Sequence, residues 1–140
     1  MELKVKRLSK DTPLPAIAYL GDAGFDLYAR GGITLAPGER AKIPSGIALE
    51  IPTGYVGLIW DKSGVSNNHG LKTLGGVVDA SYRGEVMVGV VNLGSEPYTF
   101  NAGEKVAQLL IQKVEHPTFV EVDELGDTHR GTAGFGSSGK

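Results

Sequence analysis

Short apolar runs, separated by glycine and proline, recur along the whole chain. Residues 3–8 alternate apolar and basic side chains, which predicts a strand with one exposed face. The other runs predict strands over 25–29, 32–35, 40–51, 55–60, 71–78, 85–93, 98–100 and 106–111. Apolar residues at helical spacing are hard to find. The pattern therefore predicts an all-β fold, a sandwich or barrel of many short strands.

Two features of this pattern indicate how the strands are arranged. Pro44 stands within a predicted strand, and because proline has no backbone donor it indicates an edge position or a bulge. The strands 71–78 and 85–93 flank a short loop that begins at Asp79. We expect these two strands to form a hairpin with a functional tip.

The character of the chain changes near Val120. Residues 121–127 are mostly acidic or apolar, and residues 130–140 are rich in glycine and serine. Such a composition cannot build a core and is typical of a disordered terminus. We expect one domain over residues 1–122 and a mobile C-terminal tail over residues 123–140.

Composition and charge exclude several classes of partner. The 140 residues carry a formal net charge of -2 and no basic tract, which argues against binding a nucleic-acid polymer or an anionic membrane. There is no cysteine, which favours a reducing compartment. No apolar run approaches the length of a membrane span. We expect a soluble, cytoplasmic protein.

The loop after Val78 is the first candidate for chemistry. Asp79 is either a turn residue or a carboxylate placed for catalysis, and Tyr82 and Arg83 follow within the same loop. The lone Asp26 in an earlier short strand is more typical of a turn or capping carboxylate.

A second group of candidates suits an anion. Lys62, Ser63 and Gly64 follow an apolar strand and suit a phosphate, although three such residues are more typical of an ordinary turn with a solvated lysine. Gln108 stands in an apolar run, where its amide either bonds to backbone or faces a ligand. His69 is interpreted as a loop residue without metal-ligand partners.

The tail carries two side chains that a purely solvating segment does not need. Arg130 precedes a glycine, and Phe135 stands between two glycines. A guanidinium suits phosphate oxygens and an aromatic face suits a base. We therefore predict a strap that orders on a ligand.

Five separated segments, taken together and in order, resemble those of the homotrimeric deoxyuridine triphosphatase family. They are AGFDL at 23–27, KSG at 62–64, GVVDASYRGE at 76–85, GEKVAQL at 103–109 and RGTAGFGSSG at 130–139. The resemblance implies a jelly-roll-like β-barrel, a homotrimer with shared active sites, and hydrolysis of dUTP to dUMP and pyrophosphate. It also implies a role in supplying dUMP and in keeping uracil out of DNA.

The resemblance assigns roles to the loop at Asp79. Asp79 matches the general base that activates the water attacking the α-phosphorus, and Tyr82 matches the residue that excludes a 2′-hydroxyl. The residues matching contacts to uracil are Thr73, Val77, Val78 and Met87.

The resemblance also assigns the phosphate contacts and the closing tail. The residues matching phosphate contacts are Lys62, Ser63, Gly64 and Gln108. In the tail, Arg130 matches a γ-phosphate contact and Phe135 a ring stacked on uracil, followed by Gly136 and Ser137. Asp26 matches a carboxylate that supports the site, and Mg²⁺ is expected to arrive on the triphosphate and not in a protein cage.

Two positions depart from the family pattern, and two alternative functions remain. Lys62 stands where the family usually has Arg, and Ser81 where it often has Asp. A dCTP deaminase of the same fold and a non-catalytic nucleotide-binding module are the alternatives. The loop at Asp79 and the tail around Phe135 favour the triphosphatase.

Overall fold

The structure is a computed structural model of the chain and describes residues 1–135. Its strands are β1 (Lys4–Arg7), β2 (Phe25–Tyr28), β3 (Ile33–Leu35), β4 (Arg40–Glu50), β5 (Tyr55–Asp61), β6 (Leu71–Leu74), β7 (Val77–Val78), β8 (Glu85–Asn92), β9 (Tyr98–Phe100) and β10 (Lys105–Lys113). One helix, α1 (Ser63–His69), lies between β5 and β6. The predicted β-rich pattern is therefore confirmed for the described residues.

The strands form three antiparallel sheets. The order is β1-β4-β8-β6 in the first sheet, β2-β10-β5-β7 in the second, and β3-β9 in the third. Buried side chains from all three sheets meet in one core, which includes Leu27 and Leu109, Ile43 and Val88, and Phe100. Open sheets packed on a shared core confirm the jelly-roll-like, all-β fold class.

The longest strand, β4, contains the bulge that Pro44 predicted. Its pairing with β8 shifts register between Pro44 and Ala48. Gly46 lies in this interval with a φ of 73°, a conformation that glycine adopts without strain. A side chain at Gly46 would also collide with Thr12, so a larger residue would strain the bulge.

The predicted hairpin of 71–78 with 85–93 is confirmed for residues 71–74 and is wrong for residues 77–78. The run 71–78 divides into β6, which pairs with β8, and β7, which pairs with β5 in the other four-stranded sheet. Gly75 and Gly76 separate the two pieces and have φ values of 66° and 100°. These left-handed glycines let the chain change sheets, so the Asp79 loop connects two sheets.

The interpretation of His69 as a loop residue is also wrong. His69 is the last residue of α1, and its ring centroid lies 4.8 Å from that of Tyr98. Gly70 ends the helix in a left-handed conformation and donates its N–H to Ser66. This short helix lacks a set of apolar residues at helical spacing. The hydrophobic pattern of the sequence therefore could not predict it.

The last strand ends at Lys113. The described residues after it, 114–135, form turns and irregular backbone. Several of their apolar side chains are exposed, including Phe119, Val120 and Leu125. No helix within residues 1–135 is long and apolar enough to cross a membrane.

Candidate active site

One cavity opens beside the short strand β7 and the loop that follows it. It has a volume of about 220 Å³, and its lining includes Val77, Val78, Asp79, Tyr82 and Met87. Five residues predicted from the sequence are thus brought together at one place.

β7 is an edge strand, and this explains how its backbone can face a ligand. Within residues 1–135 it pairs with β5 on one side only, with Val78 opposite Gly57 and Val77 opposite Leu58. The backbone groups on the other side of an edge strand have no ladder partner. They are free to exchange hydrogen bonds with a planar ligand that carries both donors and acceptors.

The loop after β7 is held by its own side chains. The Tyr82 hydroxyl donates to the Glu85 carbonyl over 3.0 Å, and Arg83 donates to the Ala80 carbonyl over 2.6 Å. A Cβ at Gly84 would lie 2.3 Å from the Tyr82 hydroxyl oxygen, so glycine is needed for the tyrosine to fold back. The Asp79 side chain is exposed at the start of this loop.

A second cavity, of about 420 Å³, lies on the face of β2, β10 and β5. Asp26 and Gln108 face each other in the β2–β10 pairing, and Gln108 faces Trp60 in the β10–β5 pairing. All three side chains line this cavity together with Lys62. Because these residues are cross-strand neighbours on adjacent strands, they lie close together although they are distant in sequence.

The Asp26 carboxylate is buried and lies between two lysines. One oxygen is 2.5 Å from the Lys62 ammonium and the other is 2.7 Å from the Lys105 ammonium. Burial alone would raise the pKa of Asp26, but the hydrogen bonds from Lys105 and Lys62 outweigh it and hold the pKa below its ordinary value. Asp26 therefore stays ionised at neutral pH.

Gln108 is fixed by two neighbours. Its side-chain nitrogen donates to the Asp61 carbonyl over 2.8 Å. A Cβ at Gly24 would lie 2.2 Å from its side-chain oxygen, so the backbone at Gly24 approaches the amide closely. The first alternative given for Gln108 is confirmed, because the amide bonds to backbone, and the residue also lines the cavity.

Asp61 anchors the segment that carries Lys62. Its carboxylate accepts the Thr73 N–H over 2.7 Å and the Lys72 ammonium over 2.6 Å. Burial would raise the pKa of Asp61, but the bonds from Lys72 and Thr73 lower it below its ordinary value. The segment is therefore tied to β6 on one side and, through its carbonyl, to β10 on the other.

Ser63 and Gly64 are exposed in the first turn of α1. The first bond of this helix runs from the Ser66 N–H to the Lys62 carbonyl. The N–H groups of the residues before Ser66 therefore have no partner within the helix.

Neighbouring residues of β5 line the two cavities, Ile59 the first and Trp60 the second, and they point to opposite faces of the sheet. Val78 faces Gly57, and Lys62 follows Gly57 by five residues. At roughly 3.3 Å per residue, this separation is about 16 Å along the strand. The group around Asp79 and the group around Lys62 therefore belong to two separate regions of one chain.

The remaining predicted site residues lie elsewhere. Thr73 lies outside the cavity at β7, in a crevice beside Asp61. Arg130 donates to the Ala133 carbonyl within the tail, and Phe135 is fully exposed. Gly136 and Ser137 lie outside the described residues.

Several residues of these regions were not singled out from the sequence. The sequence could not show that Lys105 and Asp61 contact residues distant in the chain, or that the Tyr82 ring approaches Gly84 closely. Trp60 is 54% exposed beside the second cavity, which a strand pattern cannot show. Among residues 1–135, no group of three or more histidine or carboxylate side chains could hold a metal ion.

Comparison with known proteins identifies the family. The dUTPase family model matches residues 10–139. The chain is 51% identical over 145 residues to the deoxyuridine 5′-triphosphate nucleotidohydrolase of Mycolicibacterium gilvum, covering 98% of this chain and 94% of the relative. It is 46% identical over 142 residues to the enzyme of that name from Thermobifida fusca, covering 99% and 79%.

Solved structures agree. A variant of the dUTPase of Staphylococcus bacteriophage 80alpha, solved with dUpNHpp, superimposes with a TM-score of 0.93 at 31% identity, covering 99% of both chains. A variant dUTPase of phage phi11 of S. aureus, described as coordinating a structural Mg(II) ion, gives a TM-score of 0.82 at 30% identity, covering 89% of this chain and 98% of the other. The resemblance seen in the five motifs is confirmed, and the chain belongs to the dUTPase family.

Proposed function

We propose that this chain hydrolyses dUTP to dUMP and pyrophosphate, with Asp79 as the general base at the α-phosphorus. Its family membership and the names of its relatives support the reaction. The observation that supports the residue roles best is the single cavity lined by Val77, Val78, Asp79, Tyr82 and Met87. It combines an edge strand, a carboxylate and a phenol within one loop.

The chemistry assigned to Asp79 is proton abstraction from water. Its side chain is exposed at the mouth of the loop, where a water and a phosphorus centre can both approach. An aspartate within hydrogen-bond reach of one water contributes typically 10²–10⁴-fold to a rate as a general base. The oxygen attacks the α-phosphorus, the α,β-bridging bond breaks, and pyrophosphate leaves.

Selection of the base and the sugar follows from the same loop. The unpaired edge of β7 at Val77 and Val78 offers backbone donors and acceptors to uracil, and Met87 closes the side of the cavity. A site built for hydrogen bonds rejects a ligand whose donors and acceptors are reversed, such as cytosine. The Tyr82 ring, held by its bond to Glu85, fills the space that a 2′-hydroxyl would need.

The phosphates are assigned to the second region. This region offers the ammonium of Lys62 and the hydroxyl of Ser63. It also offers the side-chain amide of Gln108 and, at Gly64, an N–H group that has no partner within the helix. The substrate is the Mg²⁺ complex of dUTP, since Mg²⁺ is commonly bound through substrate phosphates with several waters retained. Charge developing on the leaving pyrophosphate is then stabilised by fixed positive charge.

We infer that the working unit is a homotrimer with shared sites. The group at Asp79 and the group at Lys62 are about 16 Å apart along β5 in one chain, by the rise of a strand. A nucleoside triphosphate needs its α-phosphorus near the base and its phosphates near the cations. A second copy supplying the phosphate contacts satisfies both, and the tail with Arg130, Phe135, Gly136 and Ser137 closes the site.

The deaminase alternative is not favoured, because the family model and the relatives are dUTPases. Pyrophosphate release with dUTP, UTP, dCTP and dTTP tests the proposed function. We expect release with dUTP, little with the others, and no ammonia from dCTP. Stoichiometric ammonia release from dCTP would overturn the proposal.

A further inference from the structure

The Asp26 carboxylate has two cationic partners that differ in their surroundings. Lys62 lines the second cavity and is 26% exposed, whereas Lys105 is 47% exposed and does not line that cavity. Each ammonium takes one of the two carboxylate oxygens. One partner therefore faces the region assigned to the phosphates, and the other approaches Asp26 from outside it.

A β-bulge brings Lys105 to this carboxylate. Gln108 shares the cavity face with Asp26, and residues three apart on a regular strand point to opposite faces. The pairing of β10 with β2 shifts register between Lys105 and Ala107, so that Val106 and Ala107 are both buried. The extra residue returns Lys105 to the face of Asp26 and Gln108, which is how bulges redirect side chains.

The second lysine changes what happens when Lys62 binds an anion. If Lys62 were the only partner of Asp26, moving its ammonium to a triphosphate would leave a buried carboxylate without a cation. Breaking a buried ion pair in this way is costly because the remaining charge is uncompensated. With Lys105 still in place, the carboxylate keeps one ion pair while Lys62 moves.

We propose that Lys105 is a positioning residue. It keeps its ion pair with the Asp26 carboxylate, and this allows the Lys62 ammonium to leave that carboxylate and bind the phosphates of the substrate. The inference rests on the assignment of Lys62 to the triphosphate. Lys105 acts through Asp26 and needs no contact with the substrate.

The test is a double-mutant cycle read out by binding of the non-hydrolysed analogue dUpNHpp with Mg²⁺. We expect Lys105→Met to weaken binding about 10- to 100-fold, which is about 1.4–2.7 kcal/mol. Lys105→Arg keeps the charge and is expected to stay within about threefold of the parent. Lys113→Met, at the far end of β10, is the matched control and should leave binding unchanged.

The Asp26→Asn background separates positioning from a direct or purely structural role. Without the carboxylate, Lys62 needs no release, and Lys105→Met should then change the affinity by less than about threefold. Equal losses in both backgrounds, or no loss in either, would overturn the proposal. If Lys105→Met does not fold, Lys105→Gln gives the same comparison.

Two further readouts distinguish this inference from the proposed function. Binding of dUMP, which lacks the β- and γ-phosphates, should be unaffected by Lys105→Met. The coupling is measured without turnover, so it can hold even if pyrophosphate release from dUTP fails. Absence of dUTP hydrolysis would therefore count against the proposed function alone, and absence of coupling against the role of Lys105 alone.

Discussion

Asp79 and Lys62 lie at opposite ends of β5 in the same chain. Asp79 follows β7, whose Val78 faces Gly57 near the beginning of β5, and Lys62 follows the end of that strand. The separation of about 16 Å follows from the rise of a strand. In the proposed homotrimer, one chain supplies Asp79 and another supplies Lys62 to the same substrate.

This arrangement predicts complementation between two inactive variants. Asp79→Asn and Lys62→Met, each inactive alone, should recover activity when the two chains are refolded together. If each site takes Asp79 from one chain and Lys62 from another, random mixing restores about one quarter of the sites. Pyrophosphate release after co-refolding measures this. Mixed protein no more active than its parents would contradict shared sites.

Adding a methyl group at Gly84 should weaken the preference for deoxyribose over ribose. In Gly84→Ala the Cβ would meet the Tyr82 hydroxyl at 2.3 Å, so the ring must move and its bond to Glu85 is lost. We expect the preference for dUTP over UTP to fall at least about tenfold, measured as the ratio of kcat/KM values. Gly31→Ala, which meets nothing within 4 Å, is the control and should keep the preference.

The pKa of Asp26 predicts how its contribution to stability depends on pH. The folded pKa lies below the ordinary value of 3.8, so near that value the unfolded chain binds more protons than the folded one. The contribution is present above about pH 3.8 and is lost as the pH falls through the folded pKa. At pH 6, Asp26→Asn should lower the free energy of unfolding by on the order of 2 kcal/mol, with a smaller difference at pH 3.

Urea denaturation at the two pH values and one protein concentration checks this expectation. Asp11→Asn, at an exposed position, serves as the matched variant and should follow the parent at both pH values. A difference between the parent and Asp26→Asn that grows on acidification would contradict the sign of the argument.

Removal of residues 128–140 should abolish turnover without unfolding the domain. The described part of this segment contains Arg130 and Phe135, which are exposed and pack on no part of the core. We expect kcat/KM to fall at least about 100-fold, because the closing contacts that align the triphosphate are lost. Tm should change by little. An unchanged rate would mean that the tail has no part in the reaction.

Local pattern was sufficient for most of the strands and for the bulge at Pro44. It failed at 71–78, because an apolar run looks the same whether or not two left-handed glycines divide it between sheets. The loop at Asp79, which lines a cavity, could be proposed as a site because its candidate residues are contiguous in sequence. The pair formed by Lys105 and Asp26 was not found, since it depends on strand register and a bulge between distant segments.

The role of Asp79 is tested most directly by pyrophosphate release from Asp79→Asn at saturating dUTP. The amide keeps the size of the side chain but is a poor base, so turnover should fall by about 10²–10⁴-fold. Binding of dUpNHpp should stay within about tenfold of the parent, and the exposed Asp11→Asn should retain full activity. Turnover of Asp79→Asn within about threefold of the parent, with binding intact, would contradict the assignment of Asp79 as the general base.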